Sequence, residues 1–150
     1  MGGQSRPEPA EPRLIFVDSS AWIAYLARRE SAIQRALDSL LDDPSQLASS
    51  GLVICEVMQG IRSAAEREIL ERSLLSLDLL PEPSLATYLR AAELFRVARV
   101  RGITVRGTID CVLAAQCLEA DAELLHADRD FERLARVAPL RIHSASLGRC

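Results

Sequence analysis

Five acidic side chains stand at positions where an α/β protein could use them. Asp18 directly follows the apolar run Arg13 to Val17 (RLIFV), Glu56 lies within LVICEVM, Asp110 opens a helix-forming stretch, and Asp128 and Asp130 follow LLHA. Each aspartate has an ordinary structural use, because a carboxylate in the first turn of a helix caps backbone amides and complements the helix dipole. Glu56 is harder to place that way. Leu52, Val53, Ile54, Val57 and Met58 around it predict a helix apolar over most of its circumference, where a glutamate is costly unless paired or ligated. Either an arginine such as Arg62 or Arg106 pairs with it, or it belongs to a carboxylate cluster. Converging carboxylates repel unless a cation joins them, and all-oxygen ligands favour Mg²⁺ or Mn²⁺ over zinc or copper. Such an ion lowers the pKa of bound water and clamps a phosphodiester during displacement. The hydroxyls of Ser20 and Thr108 either orient water or a carboxylate, or cap helices.

The elements that would position these groups alternate. Strand RLIFV reads as buried on both faces, and Asp18-Ser19-Ser20 ends it and caps a helix to about Arg28. Ser31-x-x-Gln34 opens a second helix that Asp43-Pro44 stops. Leu47 to Ser50 is a short strand candidate before a helix over about 52–61, and Ala64 to Leu77 is an amphipathic helix with Ile69, Leu70, Leu74 and Leu77 inward. Leu85 to Arg101 is the longest helix. Ile103 to Val105 reads as a strand, Thr108 to Ala120 as a helix, Glu123 to His126 as a strand, Arg129 to Val137 as a helix and Leu140 to Ile142 as a last strand. Strands alternating with helices predict an α/β domain around a parallel sheet, whose ligands bind beyond the carboxyl ends of the strands. The expected organisation is a disordered leader over 1–12, one domain over 13–145 and a tail over 146–150.

Composition removes several chemistries. At 150 residues, 49% hydrophobic and with a net charge of −3, the chain suits one globular domain, and no apolar run is long enough to span a membrane. All 18 basic residues are arginine, so a P-loop and Schiff-base catalysis are excluded. No Gly-x-Gly-x-x-Gly fingerprint supports dinucleotide binding. The four cysteines include no Cys-x-x-Cys pair, and with only His126 and His143 beside them a structural zinc site has little to draw on. They read as reduced, mostly buried thiols of a cytoplasmic protein.

Taken in order, the motifs are familiar. LIFVDSSAWI resembles the opening of the PIN-domain nucleases, and in particular of the VapC toxins of bacterial type II toxin–antitoxin modules. ICEVMQGIR is similar to the family's Glu-x-x-x-Gly-x-Arg segment. VRGTIDCVLAAQCLEADAELLHADRDFERLA resembles its Thr/Ser-x-Asp-Cys-x-x-Ala-Ala helix, followed by a strand and Asp-Arg-Asp-Phe. The resemblance implies a single PIN-like α/β/α domain with a central parallel sheet. It also implies a Mg²⁺- or Mn²⁺-dependent endoribonuclease cutting structured RNA such as tRNA or rRNA, homodimeric and neutralised by a cognate VapB-like antitoxin. Carried over by motif, the acidic metal and catalytic site is Asp18, Glu56, Asp110 and Asp128, with Ser20 and Thr108 in support and Asp130 as a second acid of variable role. Arg62, Arg101, Arg106 and Arg129 become candidates for phosphate contacts. Aspartyl-phosphate enzymes and receiver domains also place Asp-x-Ser after a first strand, but they rely on a lysine that this chain lacks. The alternative is a catalytically silent PIN-fold RNA-binding or scaffold module, which the filled acid positions disfavour.

Overall fold

Strand β1 (Ile15–Val17) is buried on both faces, as its unbroken apolar sequence requires, and it occupies the middle of the sheet. The computed structural model describes residues 12–146. Residues 1–11 of the expected 1–12 leader and residues 147–150 of the expected 146–150 tail, including Cys150, lie outside the described residues. Strands β2 (Leu47–Ser49), β3 (Asp78–Leu79), β4 (Glu123–Leu125) and β5 (Arg141–Ile142) complete a parallel five-stranded sheet in the order β3-β2-β1-β4-β5. Ile15 lies opposite Leu47 on one side and Glu123 on the other. The chain therefore leaves β1 towards β2 on one flank and returns to the other flank through β4. That reversal opens a crevice at the carboxyl ends of β1 and β4, where parallel sheets place their ligands.

Helices α1 (Ser19–Leu26), α2 (Ala32–Asp42), α3 (Gly51–Gln59), α4 (Ala64–Leu75), α5 (Leu85–Val100), α6 (Thr108–Glu119) and α7 (Arg129–Ala135) flank the sheet. Serine caps begin four of them: Ser31, Ser50, Ser63 and Ser84 each accept an amide from the first turn. Helix α6 is buried without interruption from Cys111 to Cys117, which fits its apolar sequence on every side and makes it the inner helix against α5. Phe16, Leu113, Leu124, Phe131 and Leu134 form the centre of the core with no exposed surface.

The structure departs from the sequence pattern in particular places. Ile103 to Val105 is not a strand. Gly102 takes a left-handed conformation (φ 70°), and the Ile103 amide reaches back to Ala98 O at 2.9 Å, closing α5 before Val105 is buried without a ladder partner. The fifth strand is instead Asp78–Leu79, two residues pairing with Ala48 and Ser49 at the edge of the sheet, too short to leave an alternating pattern. Helix α4 ends at Leu75, so Leu77 reaches the core from the following turn, while Ile69 faces outward at 69% exposure. Cys55 is exposed, unlike the buried Cys111 and Cys117. Among the described residues no helix is long and apolar enough to cross a membrane.

Candidate active site

Asp18 is fixed by the end of β1 and the start of α1. Its amide donates to Leu125 O at 3.0 Å, which ties the exit of β1 to β4. Its Oδ2 accepts from the Ser20 amide at 3.0 Å and from Ser20 Oγ at 2.5 Å. One oxygen thus performs the helix-capping role. The other, Oδ1, is buried and has no hydrogen-bond partner, in a residue only 3% exposed. Burial pushes the Asp18 carboxyl up from the usual carboxylate range, the Ser20 contacts oppose that, and the nearby charge of Glu56 adds to it.

Ser20 does more than support Asp18. Its Oγ also accepts the Ala127 amide at 2.9 Å, so one hydroxyl joins the segments that leave β1 and β4. The second of those segments carries Asp128, the N-cap of α7, whose Oδ1 accepts the Asp130 amide at 2.9 Å. Asp128 is half-buried, and among the described residues its second oxygen takes no protein hydrogen bond.

Asp110 reaches the same crevice from the first turn of α6. Its carboxylate folds back over Gly107, where a Cβ would stand 2.5 Å from Oδ2, so the missing side chain gives it room. Burial is the largest cause of its pKa rising from 3.8 to about 7, followed by the charges of Asp128, Asp18, Asp130 and Glu56. Those four carboxylates come from three other parts of the chain, and their combined field on Asp110 marks the crevice as one acidic site.

Glu56 lies half-buried on α3, and its Oε2 accepts from Ser19 Oγ at 2.8 Å. The arginine pairing open at the sequence level is not what it makes: Arg106 stands beside Asp130 instead, and Arg62 is exposed. Asp130 differs from the other acids because both its oxygens are committed. Oδ2 accepts the Arg106 amide at 2.9 Å, and Oδ1 accepts from Arg133 Nη1 at 2.6 Å, in a residue 2% exposed. Asp130 is a clasp between α7 and the loop before α6. Thr108 is exposed and makes no side-chain hydrogen bond among the described residues, and Arg101, Arg106 and Arg129 are exposed. Sequence reasoning missed Ser19, which only its contact with Glu56 singles out, and His126, which is fully buried beside Asp128.

Among the described residues no three Asp, Glu, His or Cys side chains already stand close enough to grip one ion. The acids converge without closing, as like charges do when nothing neutralises them. The donor set nevertheless fits a hard cation. Its ligand atoms are all carboxylate oxygens, and a buried one with no partner, Asp18 Oδ1, points to a missing positive group.

The chain matches a known class. The PIN domain family model aligns with residues 15–137, and the chain belongs to that family. It falls among the VapC ribonucleases, being 30% identical over 132 residues to VapC ribonuclease Mb1587 of Mycobacterium bovis, a match covering 87% of this chain and 98% of that protein. Ribonuclease VapC11 of Mycobacterium tuberculosis is 30% identical over the same extent. In fold, the chain is similar to VapBC2 from Rickettsia felis bound to a DNA fragment from its promoter. The TM-score is 0.67 at 15% identity, over 87% of this chain and 97% of that one.

Proposed function

We propose that this chain is the toxin of a VapBC-type toxin–antitoxin module, a Mg²⁺- or Mn²⁺-dependent endoribonuclease that cuts structured RNA such as tRNA or rRNA in the cytoplasm. The observation that carries the reading is the convergence of Asp18, Glu56, Asp110 and Asp128 on one crevice, with the buried Asp18 Oδ1 lacking a partner. Asp18, Asp110 and Asp128 would hold the ion, and Glu56 would complete the set or orient the attacking water. When bound, a divalent ion supplies the charge that activates water and stabilises the displacement at phosphorus. The chain's own part is positional. Ser20 holds Asp18 and the β4–α7 turn in register, Ser19 holds Glu56, and Asp110, its pKa raised to about 7 by burial and by the neighbouring acids, would be favoured as a carboxylate by a cation. The exposed Arg62, Arg101, Arg106 and Arg129 are available for phosphate contacts, which a net charge of −3 makes necessary.

Two apolar faces support the protein partners. A groove between α1 and α4 exposes Leu26 and Ile69 beside Arg28 and Glu66, a shape and chemistry for a short amphipathic segment of a VapB-like antitoxin. Helix α5 exposes Leu85, Tyr88, Leu89 and Phe95 along its length, a broader face suited to a second copy in a homodimer.

The test is cleavage of a tRNA and rRNA pool by purified protein, with Mg²⁺, with Mn²⁺ or with EDTA, beside the Asp18→Asn variant. Discrete new 5′ ends that need the ion and fall at least ~100-fold in Asp18→Asn are expected, since the amide still caps α1 but removes a ligand charge. Full-rate cleavage in EDTA, in a preparation free of other nucleases, overturns the metal-dependent reading.

A further inference from the structure

His126 is the one histidine with no exposed surface, and its ring touches neither solvent nor any of the four acids' carboxylates by hydrogen bond. It stands directly after β4, with its ring centroid 5.3 Å from that of Phe131 on α7. Its Nδ1 accepts the backbone N–H of Asp128 at 3.1 Å. An Nδ1 that accepts carries no proton, so the neutral ring keeps its proton on Nε2. Nε2 lies 3.2 Å from Glu132 Oε1, but too obliquely for a hydrogen bond, and neither atom has another partner. The backbone of His126 is itself held, since its amide donates to Ser146 Oγ at 3.1 Å and that hydroxyl donates to Leu124 O at 3.3 Å.

The turn from β4 into α7 is therefore pinned at three successive residues. Ser146 holds His126, Ser20 holds Ala127 and the His126 ring holds Asp128. The first two fix where the turn begins. Only the third acts on the residue whose carboxylate faces the crevice. Without it, a part-buried amide loses its acceptor, and the turn must rotate to find another. Rotation at Asp128 swings its carboxylate relative to Asp18, because Ser20 anchors the preceding residue.

We infer that His126 is a positioning residue for the acidic site: its buried Nδ1 orients Asp128 through that residue's backbone amide. This rests on the reading of Asp128 as a ligand. Two substitutions separate orientation from mere filling of space. In His126→Asn the side-chain Oδ1 stands where Nδ1 stands and can accept the same amide. In His126→Gln the polar end reaches the place of Nε2, and the acceptor near Asp128 is gone. Glutamine is nearer to histidine in volume, so a packing role ranks Gln above Asn, and an orienting role ranks Asn above Gln.

The experiment measures Mn²⁺ affinity by calorimetry on the full chain for wild type, both His126 variants and Asp128→Asn, with circular dichroism to establish folding. His126→Gln should weaken Mn²⁺ binding about tenfold or more, as loss of an outer partner of a metal ligand does, while His126→Asn stays within about threefold of wild type. Equal losses in the two variants, or better binding by Gln, overturn the inference. If Asp128→Asn weakens binding and His126→Gln does not, the inference alone fails. If Asp128→Asn leaves binding intact, Asp128 is no ligand and both readings fail. Should His126→Gln not fold, the imidazole ¹⁵N spectrum of the wild type decides. The Nε2–H tautomer supports the inference, and the Nδ1–H tautomer overturns it.

Discussion

Asp110→Asn should make the metal-free protein more stable at pH 8 while abolishing its response to Mn²⁺. The Asp110 carboxyl is held at about 7 instead of 3.8, first by burial and then by Asp128, Asp18, Asp130 and Glu56. Between about pH 4 and pH 7 the folded chain keeps a proton there that the unfolded chain has released. Stability from this group therefore falls as pH rises through that window and levels off above it. At full strength such a displacement would correspond to roughly 4 kcal/mol, but Asp110 is only half-buried, and solvent screening reduces this to roughly 1–2 kcal/mol. Asparagine carries no charge and escapes the penalty.

The assay is thermal melting of wild type and Asp110→Asn, in EDTA and in Mn²⁺, from pH 5 to pH 8. Subtracting one protein from the other removes the titrating groups that do not act on Asp110, while the coupled acids, Asp18 among them, stay in the difference. In EDTA the gap between the two should be smallest near pH 5 and widen up to about pH 7. At pH 8 the variant should melt higher by roughly 3–8 °C, the range for ~1–2 kcal/mol in a domain of this size. Mn²⁺ should raise the melting temperature of wild type and leave the variant unmoved, because an ion that binds only the native state stabilises it. A variant that melts lower than wild type by the same margin at every pH would show that Asp110 is a helix-turn residue and no more. Retained Mn²⁺ stabilisation would remove it from the proposed ligands.

Asp130→Asn should cost roughly 1–3 kcal/mol in urea denaturation, since it weakens the buried contact with Arg133 and the clasp on the Arg106 amide. Its Mn²⁺ affinity per folded molecule, read by calorimetry, should stay near wild type; a loss matching that of Asp128→Asn would return Asp130 to the ligand set. Gly107→Ala should do the reverse. A Cβ 2.5 Å from Asp110 Oδ2 displaces the flexible end of that side chain and not the backbone, so Mn²⁺ binding should weaken several-fold with a change of roughly 1 kcal/mol or less in metal-free stability. Unchanged Mn²⁺ binding would mean that Asp110 does not need that space.

Where a segment's own residues decide its fate, the sequence was enough to read it. The unbroken apolar run of β1, the Ser31 cap of α2 and the Gly102 stop of α5 are local, and the helices they frame fall within a few residues of the reading. The crevice followed too, since parallel strands and their carboxyl ends are set by the alternation of elements. What failed were short segments whose composition does not decide which hydrogen-bond or packing partner they take. Asp78–Leu79 is a strand only because Ala48 and Ser49 offer it a ladder. Ile103 to Val105 has the composition of a strand, but its first amide is already spent on Ala98 O. Ile69 has the spacing of a core residue, yet α4 meets the core chiefly through Leu74.

The same division runs through the acids. Asp128 and Asp130 stand two residues apart in HADRDF, with the same charge and nearly the same neighbours. They are separated by an i,i+3 pair within α7 and by a hydrogen bond that another segment brings. The Arg106 amide, 24 residues away in sequence, takes Asp130 Oδ2, and Arg133 takes Oδ1. Asp128 gives up a single oxygen to its own helix and keeps the other. Glu56 follows the same logic, its arginine alternative closed because Arg106 stands beside Asp130, and its own contact made with Ser19. An acid in this crevice is thus defined less by where it sits in a motif than by which of its oxygens the protein has left unspent. By that criterion Asp18 is the firmest of the proposed ligands, because its spare oxygen is buried and no group among the described residues hydrogen-bonds to it.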